Sequence, residues 1–472
     1  MKRVIVVGGG IGGLTAAALL GAAGYRVTLL EANGYLGGKS RRIHLGGQRM
    51  DTGPSLVTFP GVWDELLKRW DVLGDGGTSA AEIAGLKLRR MDEVGRYYYR
   101  GETVALPVPE GHPWHGAWER FAALHGGLGP DVTRLLTADP LERGTLPVLG
   151  RLLRIYGPRL TTRGYLNSLK WLPDGLREII AIHTLNAGVS PSRTPALYAS
   201  MPAIMAQDGV WVPDGGVYEI VLALERLARR AGVEVCTGEP VQEIRDLKVV
   251  TTAGEYEADA VVSSLDADRL EGLLAPGEKR KPEKLSCSGV AVYTVLRREL
   301  PEHVATHGVV LPSNPSMLYR SLEAGKEPEE TMAFANYFRP GEVYPNERAT
   351  LALLLTAPAN GKEYGLEDPF VEREVARVSR EIGLEETATE YCGEHTILHP
   401  QYFGVRGGEN GALYGAVRPF WRSGPLHRPR YNDSHRPWMW RVGASVHPGG
   451  GIPAVLGGAM ISTSRLLRSL AE

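Results

Sequence analysis

MKRVIVVGGGIGGLTAAALLGAAGYRVTLLE, residues 1–31, holds an apolar run from Arg3 to Val7, then Gly8, Gly10 and Gly13 in GxGxxG spacing, an alanine-rich segment, and a second apolar run closing on Glu31. That order predicts a strand, a helix and a strand. One glycine permits the tight turn, one lets the backbone approach a pyrophosphate, and one lets helix and strand pack closely. The pyrophosphate would sit on the helix N-terminus, where free N–H groups and the dipole favour negative charge. Glu31 is placed for two hydrogen bonds to a ribose. Ala16 and Ala17 on the helix and Gly24 at its end agree with dinucleotide binding.

At 472 residues the chain exceeds one simple core, so two or three domains that share segments are expected. Basic and acidic residues balance, 53 against 54, which gives no general argument for nucleic acid. No window of eighteen uninterrupted apolar residues reads as a spanning helix. The start at Lys2-Arg3 belongs to the nucleotide fold rather than to a signal peptide, and the expected location is cytoplasmic. Cys236, Cys287 and Cys392 are widely separated with no CxxC pair, which argues against a zinc ribbon and a redox dithiol. His112, His115, His183, His303, His395 and His399 fall in no metal-binding spacing, so no metal is expected. A GxSxG nucleophile elbow and a second dinucleotide fingerprint are both missing from the sequence.

Beyond Glu31, Gly34-Tyr35-Leu36-Gly37-Gly38-Lys39-Ser40-Arg41 is a glycine-rich loop with cations beside it. Freed backbone N–H groups at Gly38, with Lys39 or Arg41 nearby, would add positive potential around a diphosphate. Asp51-Thr52-Gly53-Pro54-Ser55 forms a second turn, in which Asp51 is either a cofactor contact or a turn cap.

The fingerprint, the GGKSRR loop and the DTGPS turn resemble the start of FAD-dependent phytoene desaturases and related carotenoid desaturases, within the wider flavin amine oxidase superfamily. Gly209-Val210-Trp211-Val212-Pro213-Asp214-Gly215-Gly216 is similar to the family's GVWxPxGG stretch, with a helix expected from Tyr218 to Ala231. Val241 to Ile244 resembles the segment whose backbone holds the adenine. Val261-Val262-Ser263-Ser264 resembles a strand end near the cofactor; the family often has Asn-Ala where Ser264-Leu265 stands, and no side-chain role is carried to either.

Residues 442–457, VGASVHPGGGIPAVLG, closely resemble the desaturase pattern GAGTHPGxGxPGVLGSA, departing at Ser445, Val446 and Ala454. An extended run ends in a glycine-rich turn and a helix begins near Pro453, so a second helix N-terminus would face a polar part of the flavin. The resemblance implies FAD contacts at Gly443, Ala444, Gly451, Ile452 and Pro453. Related flavoenzymes place an acid near Ala444 and Ser445, so backbone groups would replace it here. His447 is a candidate base, or an orienting hydrogen-bond donor before Pro448.

The implied fold class is mixed α/β, with a Rossmann-like FAD-binding domain built from residues 1–70, 205–270 and 430–472. Residues 85–110 and 271–429 would form an antiparallel-sheet substrate domain, and 111–204 a helical subdomain. Residues 86–107 read as two strands joined around Gly95, and Ala291–Leu296 and Thr350–Thr356 as further strands. Alternate rings of Tyr97, Tyr98 and Tyr99 would face opposite sides of such a strand. Gly144 to Pro173 carries Arg151, Arg154, Arg159, Arg163 and Lys170, no acid, and Leu, Ile, Tyr and Trp among them, which suits a peripheral membrane contact or the solvated face of a helical unit.

The resemblance implies removal of two hydrogens from adjacent saturated carbons of a lipophilic acyclic carotenoid, one as hydride to flavin N5 and one as a proton, with quinone or oxygen reoxidising the flavin. Phytoene desaturation, 3,4-desaturation and redox-neutral isomerisation all use related sequences, with a slight preference for the 3,4-desaturase type. An amine oxidase and a flavin-free lipid escort are the rivals from other classes.

Overall fold

The computed structural model describes residues 1–74, 76–140, 142–277, 283–418 and 426–472; residues 278–282 and 419–425, which the sequence reading places in the substrate domain, lie outside the described residues. Strand β1 (Arg3–Val7), helix α1 (Ile11–Ala22) and strand β2 (Arg26–Glu31) follow the opening pattern, and the strands pair in parallel from Arg3–Arg26 to Val7–Leu30. Three distant segments complete a five-stranded parallel sheet in the order Met439–Arg441, Ala260–Ser263, β1, β2, Glu234–Thr237. Val4 to Val7 and Val27 to Leu30 are buried on both faces of this sheet, which explains continuous rather than alternating apolar runs. Helix α1 is buried from Gly12 to Gly21 because the helices Glu219–Arg230 and Ile452–Ala471 lie against it. A Cβ on Gly21 would meet Ala231 and Val233 at 2.9 Å, so a side chain there would separate the helices.

A seven-stranded sheet runs in the order Cys392–Leu398, Ser288–Leu296, Thr350–Ala357, Ala333–Phe338, His307–Val310, Gly95–Tyr99, Glu102–Leu106. It is antiparallel except where His307–Val310 lies parallel to Gly95–Tyr99, so the expected antiparallel sheet is mixed. Two chain segments meet at this pair, and no hairpin fixes their relative direction. The reading of residues 86–107 needs correction: the strands are Leu88–Arg90, Gly95–Tyr99 and Glu102–Leu106, Gly95 opens a strand, and the hairpin turns at Arg100-Gly101, where φ is 53° and 78°. Two successive positive φ values match the twist of the flanking strands. Tyr97 and Tyr99 join one core cluster and Tyr98 another, as strand alternation requires.

The helices His115–His125, Leu146–Tyr156, Thr162–Ser168, Asp174–Ile182 and Met201–Asp208 share a core with Tyr97 and Tyr99, and Gly129–Thr137 packs on Ile452–Ala471. On Leu146–Tyr156, Val148 and Tyr156 face inward whereas Leu146, Leu149 and Leu153 are 64%, 44% and 67% exposed. No helix of the described residues is long and apolar enough to cross a membrane.

Candidate functional site

Most of the predicted cofactor residues collect at the C-terminal edge of the parallel sheet, where such folds bind ligands. β1 runs into Gly8, β2 ends at Glu31, Ala260–Ser263 runs into Ser264, and Met439–Arg441 ends two residues before Gly443. Glu31 is buried, and its Oε2 accepts from Gly9 N–H at 2.7 Å while its Oε1 accepts from Asn33 N–H and Nδ2 at 2.8 and 2.6 Å. The carboxylate is thus held at the end of β2 by two backbone N–H groups and the Asn33 amide. Glu239 N–H donates to Glu31 O at 2.9 Å, which places Val241, two residues on, near that corner.

Gly10 is the N-cap of α1 and offers no capping side chain, and no acid stands in the first turn. Gly13 N–H donates to Ser264 Oγ at 3.1 Å. A Cβ on Gly13 would overlap the Gly8 carbonyl oxygen, which is the close helix–strand approach the fingerprint demands. A Cβ on Gly10 would fall 3.6 Å from Ser264 Oγ and 4.0 Å from Gly38 Cα, and one on Gly38 3.2 Å from Gly10 Cα. These glycines face each other across a backbone-lined cradle that any side chain would fill. The sequence reading gives Ser264 no role; its signal was its place immediately after a strand that ends beside the fingerprint.

The C-terminal signature closes the same site. A Cβ on Gly12 would lie 2.9 Å from Gly443 N, so the two ends of the chain touch through a glycine. Helix Ile452–Ala471 begins where expected, with Gly451 as an N-cap without a side-chain bond and Pro453 in its first turn. Two helices whose N-cap residues are glycines, a glycine cradle and a buried acid at the end of β2 fit a dinucleotide. Ser445 Oγ accepts from Ala267 N–H at 3.0 Å, and Ala444 and Ser445 line a cavity of ≈ 140 Å³ together with Pro448, Gly449 and Gly450.

Other predicted residues sit elsewhere in the network. Lys39 Nζ is 2.9 Å from both Asp266 Oδ2 and Leu413 O. Arg41 reaches the Tyr402 hydroxyl at 3.3 Å and lies over the Tyr35 ring. Asp51 is bound by Arg42, through Nε at 2.8 Å and Nη2 at 3.2 Å, and by Tyr218 N–H at 2.9 Å, and burial pushes its carboxyl up. Arg42 also donates to Gly215 O at 2.7 Å and to Glu219 at 2.9 Å. The GGKSRR loop therefore reaches the GVWVPDGG turn through Arg42, a residue the sequence reading does not single out. Burial first, then His427 and Arg465, brings the His447 imidazole down to about 4, and its carbonyl accepts from the Tyr431 hydroxyl at 2.9 Å. At neutral pH it is an uncharged and weak base. The described residues contain no cluster of His, Cys, Asp and Glu suited to a metal.

The model of the family described as flavin containing amine oxidoreductase matches residues 11–374. The chain belongs to that family. This flavoenzyme is an oxidoreductase with FAD as its cofactor. It is 29% identical to a zeta-carotene-forming phytoene desaturase of Myxococcus xanthus, over 99% of this chain and 94% of that one. A 1-hydroxycarotenoid 3,4-desaturase of a Flavobacterium species is 25% identical over 98% of each chain, and a hydroxyneurosporene desaturase of Rubrivivax gelatinosus is 28% identical over 99% and 94%. Among solved structures, a putrescine oxidase bound to putrescine superposes with a TM-score of 0.63 at 16% identity, covering 100% of this chain and 99% of that one. An oxidoreductase from Methanosarcina mazei gives 0.61 at 15%, covering 99% and 100%. At those identities the flavoenzyme shares a fold with them, and the likeness goes no further.

Proposed function

We propose that this flavoenzyme is a carotenoid desaturase that removes two hydrogens from adjacent saturated carbons of an acyclic polyene, in either phytoene desaturation or 3,4-desaturation. The observation that carries this reading is the approach of the VGASVHPGGGIP turn to α1 at Gly443 and Gly12, while Ala444, Ser445 and Pro448 to Gly450 of the same turn wall the cavity. FAD, when bound, supplies the acceptor for a hydride at N5. Gly8, Gly10, Gly13 and Gly38 would admit its diphosphate, Glu31 its ribose, Val241 its adenine edge, and the segment from Gly443 to Pro453 its far end. His447 is held neutral, and burial pushes the Tyr198 and Tyr414 phenols up. The neutral imidazole and phenols leave the proton to a weak base or water, while Arg193, Asp268, Glu283, Glu409 and Arg418 give the same cavity a charged part.

Residues 1–70, 205–270 and 430–472 are proposed as the FAD domain, 85–110 and 271–429 as the substrate domain, and 111–204 as a helical unit that docks on a bilayer. Supporting the last are Leu146, Leu149 and Leu153, exposed on one helix with Arg143, Arg154 and Arg159 exposed near them. Arg151 and Arg163 are engaged instead by Asp131 and Glu178, so they contribute less to lipid attraction than their number in the sequence suggests.

Product analysis tests the reading. Purified FAD-loaded protein is incubated with liposomes carrying phytoene, a 1-hydroxylated acyclic carotenoid or a C30 analogue, with an amine as control. A product with a longer chromophore supports desaturation and names the step by which substrate yields it. A changed polyene geometry without net oxidation indicates isomerisation, amine turnover an amine oxidase, and a colourless protein that still binds polyene an escort.

A further inference from the structure

Residues 413–415 run beside Ser286 and Cys287. Leu413 N–H donates to Cys287 O at 3.1 Å, Tyr414 N–H to the Ser286 hydroxyl at 3.1 Å, and Ser286 N–H to Gly415 O at 2.9 Å. Cys287 N–H donates in turn to Gly188 O at 2.9 Å. The Tyr414 side chain is thereby directed between two glycines from distant parts of the chain. A Cβ on Gly188 would lie 2.5 Å from Tyr414 Cδ2, and a Cβ on Gly450 would overlap Tyr414 Cδ1. Opposite edges of one ring rest on two backbones. Gly188 follows the short helix His183–Ala187, and Gly450 belongs to the HPGGG turn. The ring, that turn, Ala444, Ser445 and Tyr198 wall one part of the same ≈ 140 Å³ cavity, and Arg193, Asp268, Glu283, Glu409 and Arg418 another.

A linear polyene carries no polar group along its length, so hydrogen bonding cannot tell one carbon pair from the next. Register must come from where the end of the chain stops. A ring seated on two glycine backbones suits that task, because turning it aside would require the backbones to move. We propose that Tyr414 is a positioning residue: its ring terminates the cavity beside the flavin-facing turn and sets which carbon pair of the polyene is presented. This rests on the desaturase reading.

The test uses the full FAD-loaded chain with the carotenoid that the wild type accepts, products being resolved by chromatography with absorbance. A second readout is binding of conjugated polyenes of two lengths to the flavin-free chain. Tyr414→Ala is expected to shift the ratio of products, and to relax discrimination between the two lengths, by about tenfold or more. Tyr414→Phe restores both, because the ring and not the hydroxyl is the wall. Should Tyr414→Ala fail to fold, Gly450→Ala, whose Cβ would overlap the ring at Cδ1 and displace it, must change the product ratio and the length discrimination. Unchanged product ratio and unchanged discrimination in folded Tyr414→Ala, or in Gly450→Ala, overturn the proposal, as does Tyr414→Phe behaving like Tyr414→Ala. A wild type that desaturates nothing while Tyr414→Ala still relaxes length discrimination would reject the desaturase reading and leave the ring as the stop.

Discussion

Arg42 and Asp51 form a two-point ion pair, Nε to Oδ1 at 2.8 Å and Nη2 to Oδ2 at 3.2 Å, with 11% and 2% of the two side chains exposed. The pair joins the hairpin of Arg41–Leu45 and Gln48–Thr52 to the GVWVPDGG turn, through Gly215 O and Tyr218 N–H. Removing one partner of a buried pair leaves an uncompensated charge, so Arg42→Leu should destabilise the fold by about 3 kcal/mol. Urea unfolding at neutral pH checks this, and a loss under about 1 kcal/mol would place the pair with exposed ones.

Gly10 and Gly13 should respond differently to the same small substitution. At Gly13 the new Cβ overlaps the Gly8 carbonyl, so Gly13→Ala should lower the thermal midpoint of the apoprotein. At Gly10 the φ is −71° and the nearest atoms are 3.6 Å away, so Gly10→Ala should fold normally. It fills the cradle opposite Gly38, and FAD affinity should fall about 100-fold, or ~2.7 kcal/mol. Apoprotein melting and flavin titration separate the two outcomes.

Acid should weaken the fold through buried histidines. Free imidazole titrates near 6.5, whereas burial brings His125 down to about 4, and brings His183 down to about 3 with His307 as a smaller cause. His125 bonds Tyr165 Oη at 3.0 Å and Ser200 Oγ at 2.7 Å, and His183 bonds Tyr97 Oη at 2.9 Å. Below pH 6.5 the unfolded chain takes up protons that the folded chain does not, so stability falls as pH drops toward 4, by up to ~1.4 kcal/mol per unit for each histidine. Between pH 6.5 and 5 the wild type should lose ~1.6 kcal/mol more than His183→Gln, which lacks that titration. Denaturant curves at both pH values give the difference.

The exposed leucine stripe predicts a surface effect. Replacing Leu146, Leu149 and Leu153 by Ser should leave the thermal midpoint nearly unchanged, because all three side chains are substantially exposed. Binding to anionic liposomes should drop by about tenfold or more, since each leucine buried in the interface contributes about 1.5–3 kcal/mol. Equal sedimentation of variant and wild type would remove the bilayer from the account.

Local pattern carried the nucleotide half of the molecule. Strand, glycines, helix and Glu31 are adjacent in sequence, and the helix at Pro453 has its own start signal, so β1, α1, β2 and Ile452–Ala471 were legible. Long-range pairing was not. Ser264 meets Gly13 across 251 positions and Lys39 meets Asp266 across 227, and no local spacing encodes either. Lys39 and Arg41 read as diphosphate cations, yet the structure engages them with Asp266, Leu413 and Tyr402. The hairpin turn at Arg100-Gly101 was missed because Gly95 is the more conspicuous breaker, whereas an arginine at positive φ carries no signal in sequence.

This flavoenzyme is proposed to oxidise a polyene at its flavin. The most direct test is anaerobic mixing of the FAD-loaded protein with liposomes carrying the proposed carotenoid, following flavin and polyene absorbance together. Flavin bleaching accompanied, mole for mole, by a red-shifted polyene is the predicted result. An oxidised flavin spectrum that stays unchanged while the bound polyene remains unaltered, with bleaching by an amine instead, would contradict it.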